Sequence, residues 1–303
     1  MEHKYIHSLA ASVLLTAPSL QPSALLAQGV LTPPGAPAPT MKSLAQIEPR
    51  TPIATLPFTI SSPGSYYLTT NLNGFPSYSG ITISANNVAV DLNGFALQGG
   101  ALTVDGIHVG GALTNISVRN GAISGWGGDG VYMGGYGSAS QNLALENLLI
   151  SGNGGSGIEA ANCVVQNCQS SDKAFHGISV APGTVSRCLV QNNGWSGIYV
   201  NAPGSEVIGN RCVGNNNGTA ISNAGIFIND SYNRIEDNHI SGGTNGIMVT
   251  SGYVKNVIIK NTVIGVGLFP IYSPTPQITG PTIYNTDAFG TITNSNPWAN
   301  FLF

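Results

Sequence analysis

The sequence predicts an all-β fold in which the chain winds into a single-stranded parallel β-helix, a β-solenoid. Three observations predict it: a short phrase that recurs along the chain, a second phrase half a repeat away, and a composition rich in glycine but poor in charge. The first phrase, Gly-Ile-x-Val or a near variant, occurs eight times between Gly80 and Val249, with 20 to 28 residues from one glycine to the next. This interval is too short for a βαβ unit and fits one coil of a solenoid.

Each glycine phrase has the two-residue periodicity of a strand with one buried side. Its first and third residues after glycine are mostly β-branched or apolar, as in Ile178 and Val180, whereas the residue between them varies. Parallel stacking would place the apolar pair inside and the variable residue in water. The phrases begin at Gly80, Gly106, Gly130, Gly157, Gly177, Gly197, Gly225 and Gly246.

The second phrase is an apolar pair closed by asparagine, and it marks a turn in each coil. Asparagine tolerates left-handed backbone, and its amide can bond the same group one coil away, at a spacing of about 4.8 Å. We therefore expect a stacked asparagine ladder with a structural role. Members of this set are Asn147, Asn167, Asn210, Asn238 and Asn261, and Arg187 replaces one of them.

Composition limits the classes of partner. Ten Lys and Arg and 13 Asp and Glu give a net charge of −3, so no basic stripe is available for nucleic acid. No apolar run after the N-terminal region reaches the length of a membrane span. Metal-ligand spacing of the Cys-x-x-Cys kind is absent, and we expect neither a metal nor a cofactor. Cys168 and Cys188 lie one coil apart, which leaves either a disulfide or a buried thiol stack open.

The chain divides into four segments. Residues 1–27 have the charge, apolar stretch and Ala-Leu-Leu-Ala cleavage site of an export signal, which predicts a secreted, periplasmic or cell-surface protein. Residues 28–57 form a proline-rich tether and N-terminal cap, with a short helix over Met41 to Ile47. Residues 58–265 form the β-helix. Residues 266–303, rich in proline, form an irregular C-terminal cap.

Two stretches resemble the first coils of right-handed parallel β-helix proteins of the pectate-lyase-like superfamily. They run from Asn87 to Gly94 and from Asn115 to Gly121. Both chain ends, Ala38 to Ile53 and Pro297 to Phe301, resemble secreted bacterial members of that fold. The resemblance implies a right-handed β-helix over nearly the whole mature chain. It does not imply one activity, because the superfamily holds lyases, hydrolases, epimerases and adhesins.

The signatures of the best-known enzymes of that superfamily are missing. The calcium-binding aspartates and the Arg-x-Pro-x-x-Arg segment of pectate lyases are not found. Of the polygalacturonase motifs, Asn285-Thr286-Asp287 lies near the C-terminus with no further motif after it, and half of the histidine motif is present at Phe175-His176-Gly177. Any catalytic residues must therefore be sought in the coils themselves.

Alignment of the coils on the repeat glycine brings ionisable residues together. The outward positions form a ladder that includes His108, Tyr132 and Glu159, and the residues just before the glycines add Asp129 and His176. These five are the candidate catalytic residues, and Tyr132 is the first choice for proton transfer because it lies between His108 and Glu159. The alternative is that Tyr and His on a sheet face only reflect strand propensity.

Aromatic residues lie in the turns that lead into the same strands. Trp126, Phe175 and Trp195, together with Tyr199 on the outward ladder, are the candidate carbohydrate-binding residues. Aromatic faces beside polar groups suit a sugar ring, and a row along a solenoid suits a polymer. The alternative is that these side chains only cover turn backbone.

Two functions follow from these patterns. One is a polysaccharide-acting enzyme, with a lyase on an acidic polymer favoured and a glycoside hydrolase using Asp129 and Glu159 as the second choice. The other is a noncatalytic structural or glycan-binding solenoid on the cell surface. In both cases the expected partner is a polysaccharide and the expected state is a monomer.

Overall fold

The structure is a computed structural model, and it describes residues 47–216, 222–284 and 295–303. Residues Glu48–Phe303 form one compact unit, and all that follows concerns this unit. The predicted export signal, most of the tether and the predicted short helix lie outside the described residues, apart from the last helix residue, Ile47, which is helical. No helix among the described residues is long and apolar enough to cross a membrane.

The described residues form 30 strands. In chain order they are β1 (Thr51–Ile53), β2 (Phe58–Ile60), β3 (Gly64–Leu68), β4 (Leu72–Asn73), β5 (Ile81–Ile83), β6 (Val88–Asp91), β7 (Ala96–Gln98), β8 (Ile107–Val109), β9 (Thr114–Ser124), β10 (Val131–Met133), β11 (Gln141–Ser151), β12 (Ile158–Ala160), β13 (Cys163–Gln166), β14 (Gln169–Ser171) and β15 (Ile178–Val180). The remainder are β16 (Gly183–Ser186), β17 (Leu189–Gln191), β18 (Ile198–Val200), β19 (Glu206–Ile208), β20 (Arg211–Val213), β21 (Ile226–Ile228), β22 (Arg234–Glu236), β23 (His239–Ser241), β24 (Asn245–Val249), β25 (Val257–Ile259), β26 (Thr262–Ile264), β27 (Phe269–Tyr272), β28 (Ile278–Thr279), β29 (Thr282–Tyr284) and β30 (Asn300–Leu302).

The strands build two parallel sheets, as a parallel β-helix requires. The ten-stranded sheet takes one strand from each coil, in the order β2-β5-β8-β10-β12-β15-β18-β21-β24-β27. The other 20 strands form the second sheet, in which most coils contribute two strands. All eight glycine phrases are strands of the ten-stranded sheet, so the predicted fold is confirmed.

The interior is a stack of apolar side chains in register. Ile158, Ile178 and Ile198 lie directly over one another, and each is 0% exposed. The third residue of each of these strands is buried as well. Burial of one isoleucine side chain contributes about 1.5–3 kcal/mol. The alternation predicted from the phrase therefore supplies the core.

The asparagine phrase proves to be two ladders at one corner. Asn147 and Arg187 are themselves the corner residues of their coils, and each has left-handed backbone with a φ of 54°. Asn210, Asn238 and Asn261 lie one residue later in the coil and are buried. Their amides bond in sequence: Nδ2 of Asn210 donates to Oδ1 of Asn238, and Nδ2 of Asn238 donates to Oδ1 of Asn261, both over 3.0 Å. The predicted amide ladder therefore exists at the buried position, and at the left-handed position Nδ2 of Asn147 also donates to Oδ1 of Asn120 one coil away, over 3.3 Å.

Two segment boundaries were wrong. Strand β1 pairs with β3, so the first coil begins within the segment expected to be tether and cap. Strand β27 pairs with β24 and β30 with β26, so regular pairing continues through the segment expected to be irregular. The prolines Pro52 and Pro270 are compatible with these strands because β1 and β27 have one partner strand each, and an edge strand tolerates a missing N–H.

All four cysteines are buried free thiols. Cys168 and Cys188 take the buried corner position that Asn210 takes in the next coil, and the main-chain N of Cys188 donates to Oδ1 of Asn210 over 2.9 Å. The structure thus holds the thiol stack, one of the two arrangements left open by the sequence.

Candidate functional site

The predicted outward ladder exists on the ten-stranded sheet. Register pairs place His108 beside Tyr132 and Tyr132 beside Glu159, on β8, β10 and β12. Each of the three is half-buried between two buried neighbours in its own strand. The next members along the sheet are Ser179 and Tyr199. We call the solvent side of the ten-stranded sheet the outer face.

At one end of the outer face, acidic and aromatic groups contact each other directly. Asp105, the residue before a repeat glycine, has Oδ2 2.9 Å from Nδ1 of His108. The His108 ring stacks on Tyr132 with centroids 5.1 Å apart and planes at 14°. The other oxygen of Asp105 accepts the main-chain N–H of Asp129 over 2.8 Å. This network fixes the His108 ring against the tyrosine.

Asp129 carries an unusual carboxyl. Burial raises its pKa to about 7, and the neighbouring charges of Glu159 and Asp105 act in the same direction. A hydrogen bond from the main-chain N–H of Ser156 to Oδ1, over 2.6 Å, opposes the shift. A carboxyl with a pKa near neutrality can hold a proton and release it at physiological pH. Asp129 is therefore equipped for acid–base chemistry.

Glu159 lies beside this network, and its carboxyl has no hydrogen bond or ion pair with any residue that the structure describes. Burial raises the pKa of its carboxyl, and the charge of Asp105 raises it further. Its Oε1 lies against Gly135: a Cβ built on that glycine would be 2.5 Å from the oxygen. The absence of a side chain at Gly135 thus leaves the space that the carboxylate occupies. Glu159 presents a free acceptor on the outer face.

At the other end of the outer face, aromatic rings form a continuous row. His176 stacks on Tyr199 with centroids 4.5 Å apart and planes at 10°, and Tyr199 stacks on Phe227 at 5.5 Å and 13°. Trp195 contacts the His176 ring edge-on at 5.2 Å and the Phe175 ring at 4.5 Å. We call these five residues the aromatic row. Phe175 and Trp195 are 41% and 43% exposed, so they keep ring surface free for a ligand.

His176 belongs to this row and does not join the acidic network. Ser179, in register between Glu159 and Tyr199, is small and leaves room for the imidazole to reach Tyr199. His176 is 9% exposed, and its Nδ1 has no hydrogen-bond partner in the part of the chain that the structure describes. Burial lowers the pKa of His176 to about 4. The ring is therefore neutral at physiological pH.

A depression of about 380 Å³ lies over the aromatic row. His176, Trp195, Tyr199 and Phe227 line it together with Ser222 and Asn223 of the long loop before β21. The Tyr199 hydroxyl donates to Oδ1 of Asn201 and accepts from Nδ2 of Asn229, both over 3.1 Å, which fixes the ring. The floor of this depression is rigid and aromatic.

Trp126 was wrongly predicted to bind carbohydrate. Its side chain is 1% exposed, and its Nε1 donates to the main-chain oxygen of Leu97 over 3.3 Å. The indole packs against Gly74 and Gly80, where an added Cβ would lie 2.5 and 2.7 Å from ring atoms. Trp126 precedes its repeat glycine by four residues and Trp195 precedes its own by two. In these two coils, the tryptophan four residues before the glycine points into the core, and the one two residues before it points toward solvent.

Sequence reasoning missed three residues of this region. Asp105 and Phe227 stand in the same ladders as the predicted residues, so the repeat register alone could have added them. Lys173 precedes its repeat glycine by four residues, as Trp126 does, and it is 3% exposed with no partner for Nζ among the described residues. The same offset could have predicted that this lysine points inward.

Exchanging Lys173 for methionine is expected to stabilise the protein at neutral pH. Burial lowers the pKa of Lys173 from 10.5 to about 7. The unfolded chain therefore binds this proton below about 10.5, while the folded chain binds it only below about 7, so the free energy of unfolding falls as pH is lowered between these values. Lys173→Met removes this cost and should raise the melting temperature by roughly 5 °C at pH 7.

The measurement is thermal unfolding of parent and variant from pH 7 to pH 10. The difference in melting temperature should shrink as pH rises toward 10.5, because folding then requires less deprotonation of the lysine. A matched exchange of the exposed lysine side chain, Lys255→Met, should leave the melting temperature within about 1 °C. An equal effect of Lys173→Met at both ends of the pH range would show that the charge is not responsible.

Within residues 47–216, 222–284 and 295–303, no group of three or more His, Cys, Asp and Glu could hold a metal ion. The candidate site is thus described by its own side chains: a network of carboxyls with His108 and Tyr132, and the aromatic row beside it.

Comparison with known proteins agrees with the architecture. Residues 75–225 match the family described as right handed beta helix region. DFA-IIIase from Arthrobacter chlorophenolicus, without its lid, is similar at 15% identity and a TM-score of 0.53, over 80% of this chain and 68% of that one. No curated protein sequence matches significantly.

Two epimerases are similar at lower TM-scores. The A-module of the mannuronan C-5 epimerase AlgE6 from Azotobacter vinelandii has 18% identity and a TM-score of 0.48, over 75% of this chain and 76% of that one. The periplasmic alginate epimerase AlgG has 14% identity and a TM-score of 0.45, over 83% of this chain and 75% of that one. At these identities the likeness concerns the fold alone.

Proposed function

We propose that this chain, a right-handed parallel β-helix protein, binds a polysaccharide along its outer face. The observation that carries the proposal is the aromatic row, in which three successive coils contribute rings to one surface. A row of rings perpendicular to the strands suits a ligand that extends along the coils, because each coil adds about 4.8 Å. Aromatic rings with fixed polar neighbours suit the apolar faces of sugars.

Trp195→Ala is expected to weaken binding of a polysaccharide about three- to tenfold, because one stacking ring is lost. The measurement is retention in affinity electrophoresis gels that contain single polysaccharides, followed by titration with the one that retains the parent. The circular dichroism spectrum should not change, since the ring lies 43% exposed.

The control is Trp298→Ala, which removes a tryptophan of similar exposure, 48%, that contacts Lys260 away from the outer face. This variant should bind as the parent does. Equal retention of the parent and Trp195→Ala on every polysaccharide would refute the aromatic row as a glycan site.

Hydrolysis of the bound polymer is the second function that we propose. Glycoside hydrolases use two carboxyl groups, one protonated to assist the leaving oxygen and one ionised to act as base or nucleophile. Asp129, with a pKa raised to about 7, suits the first role. Glu159, without a hydrogen bond among the described residues, suits the second. Tyr132, the first choice for proton transfer from the sequence, stacks on His108 beside both carboxyls and stays a prediction.

Elimination from an acidic polymer fits the outer face less well. A lyase must neutralise the uronate carboxylate, and Lys or Arg side chains or a metal ordinarily do so. Among the described residues, the charged groups of the outer face are Asp105, Asp129 and Glu159, which are all acidic, and His108. These carboxyls would repel a uronate. The arrangement therefore supports hydrolysis more than the lyase reaction that the sequence favoured.

Export remains part of the proposal. We infer from the charged and apolar N-terminal stretch of residues 1–27 that the protein acts outside the cytoplasm, in the periplasm, at the cell surface or secreted. A polysaccharide-binding groove is consistent with each of these places. Mass determination of the N-terminus after expression in a secreting host would test the cleavage.

A further inference from the structure

The charges of the described residues are separated around the coils. Each described Lys and Arg lies on the second sheet, at a corner or turn, or inside the coil, as Lys173 does. The three carboxyls of the outer face therefore face a groove without a cationic side chain. The other described cations are Arg50 before β1, Arg119 in β9, Arg187 and Lys260 at left-handed corners, Arg211 in β20, Arg234 in β22 and Lys255 before β25.

Cations on the second sheet are already paired with their own carboxylates. Arg119 Nε lies 3.2 Å from Asp91, and Lys260 Nζ lies 2.8 Å from Glu236. Glu159, in contrast, has no cation within ion-pair distance among the described residues, although its side chain is partly removed from water. An unpaired, half-buried carboxylate is costly unless a positive group approaches it. The outer face thus offers a charge that the protein itself leaves unpaired.

His176 gives an independent indication that a ligand with hydrogen-bonding groups binds in this groove. It lines the depression over the aromatic row, is more than nine-tenths buried, and has an unpartnered Nδ1. Burial lowers the pKa of His176, so the ring is neutral at physiological pH. A neutral imidazole has one donor and one acceptor nitrogen. A hydroxyl or an amine of a ligand can therefore form a hydrogen bond with Nδ1.

We propose that the groove is specific for a glycan that bears primary amines, a polymer of glucosamine-type residues. A protonated amine would pair with Glu159, between the two ring stacks of the outer face. The sugar rings on either side would lie on the aromatic row and on Tyr132. This inference rests on the proposed polysaccharide binding, which it narrows from any polymer to a cationic one.

The test is calorimetric titration of the parent with three hexasaccharides at near-neutral pH. These are the β-1,4 oligomers of glucosamine and of N-acetylglucosamine, and the oligomer of galacturonate. The glucosamine oligomer should bind at least about tenfold more tightly than the N-acetylated one, which corresponds to about 1.4 kcal/mol. The galacturonate oligomer should bind least. Added salt should weaken only the first.

Glu159→Gln separates charge from shape, because the amide has nearly the volume of the carboxyl. It should weaken the glucosamine oligomer about tenfold and change the N-acetylated oligomer less than about twofold. The matched control is Glu206→Gln, at an exposed glutamate of β19 on the second sheet. It should leave every affinity unchanged.

The outcomes distinguish specificity for an amine-bearing glycan from the proposed polysaccharide binding on which it rests. Equal or tighter binding of the N-acetylated or galacturonate oligomer, with loss in Trp195→Ala, would overturn the specificity and keep the glycan groove. Tight glucosamine binding that Glu159→Gln does not weaken would also overturn it. Binding of no oligosaccharide or polysaccharide would remove both proposals.

Discussion

Replacing Ile178 with aspartate is expected to abolish folding. Ile178 is 0% exposed and lies in register between Ile158 and Ile198 in the middle of the ten-stranded sheet. The substituted carboxylate would have no partner inside the apolar stack, and burial of an unpaired charge costs several kcal/mol or more. Loss of the isoleucine removes a further ~2 kcal/mol of apolar burial. Together these effects approach the whole stability of a typical domain.

Circular dichroism and thermal unfolding of purified protein give the readout. Ile178→Asp should lack a cooperative transition and accumulate as insoluble protein. Val164→Asp is the matched control, because Val164 also lies in a strand but is 42% exposed on the solvent side of the second sheet. It should melt within a few degrees of the parent. A parent-like transition in Ile178→Asp would mean that this side chain points outward.

The repeat glycine explains how much of the fold the sequence predicts. One phrase per coil sets the strand, the inward pair and the outward residue, since a parallel stack forces equivalent positions into register. The register pairs of His108 with Tyr132 and of Tyr132 with Glu159 follow from this rule alone. The ends of the coil are less predictable. There the phrase is absent, and edge strands accept prolines such as Pro270 that argue against pairing elsewhere.

The candidate site was harder to predict, because the direction in which a side chain points matters more than its distance from the site along the chain. Trp126 and Trp195 both precede a strand of the outer face, yet one fills the core and the other is 43% exposed. His176 lies close in sequence to the acidic ladder, but the small Ser179 lets its ring turn to Tyr199 instead. The direction of each side chain depends on the size of the side chains one coil away. Inspection of one repeat at a time does not reveal those sizes.

The separation of charge was the other property, and the composition alone concealed it. The net charge of −3 is small, and nothing in the composition shows that the cations lie away from one sheet. Only the coil register reveals that Asp105, Asp129 and Glu159 share a surface. That separation moves the expected ligand from an acidic polymer to a neutral or cationic one.

Asp129→Asn is expected to reduce hydrolysis of the bound polymer by at least two orders of magnitude, the usual contribution of a general acid. Asparagine keeps the oxygen that accepts the Ser156 N–H but carries no transferable proton. The folded protein should not be weakened, because the neutral amide removes both the cost of burying a charge, which is the main cause of the raised pKa of Asp129, and the repulsion from Glu159 and Asp105. The measurement is release of reducing ends from the polysaccharide that retains the parent.

The pH profile of the parent supplies a second, independent readout. A general acid works only while protonated, so kcat/KM should fall tenfold per pH unit as pH rises above about 7, the pKa of Asp129. Glu206→Gln, on the second sheet, should keep both the rate and this profile. Full activity in Asp129→Asn would place the acid elsewhere. Binding without any release of reducing ends by the parent would make the groove a noncatalytic glycan site, because two carboxyls with raised pKa values would then serve recognition alone.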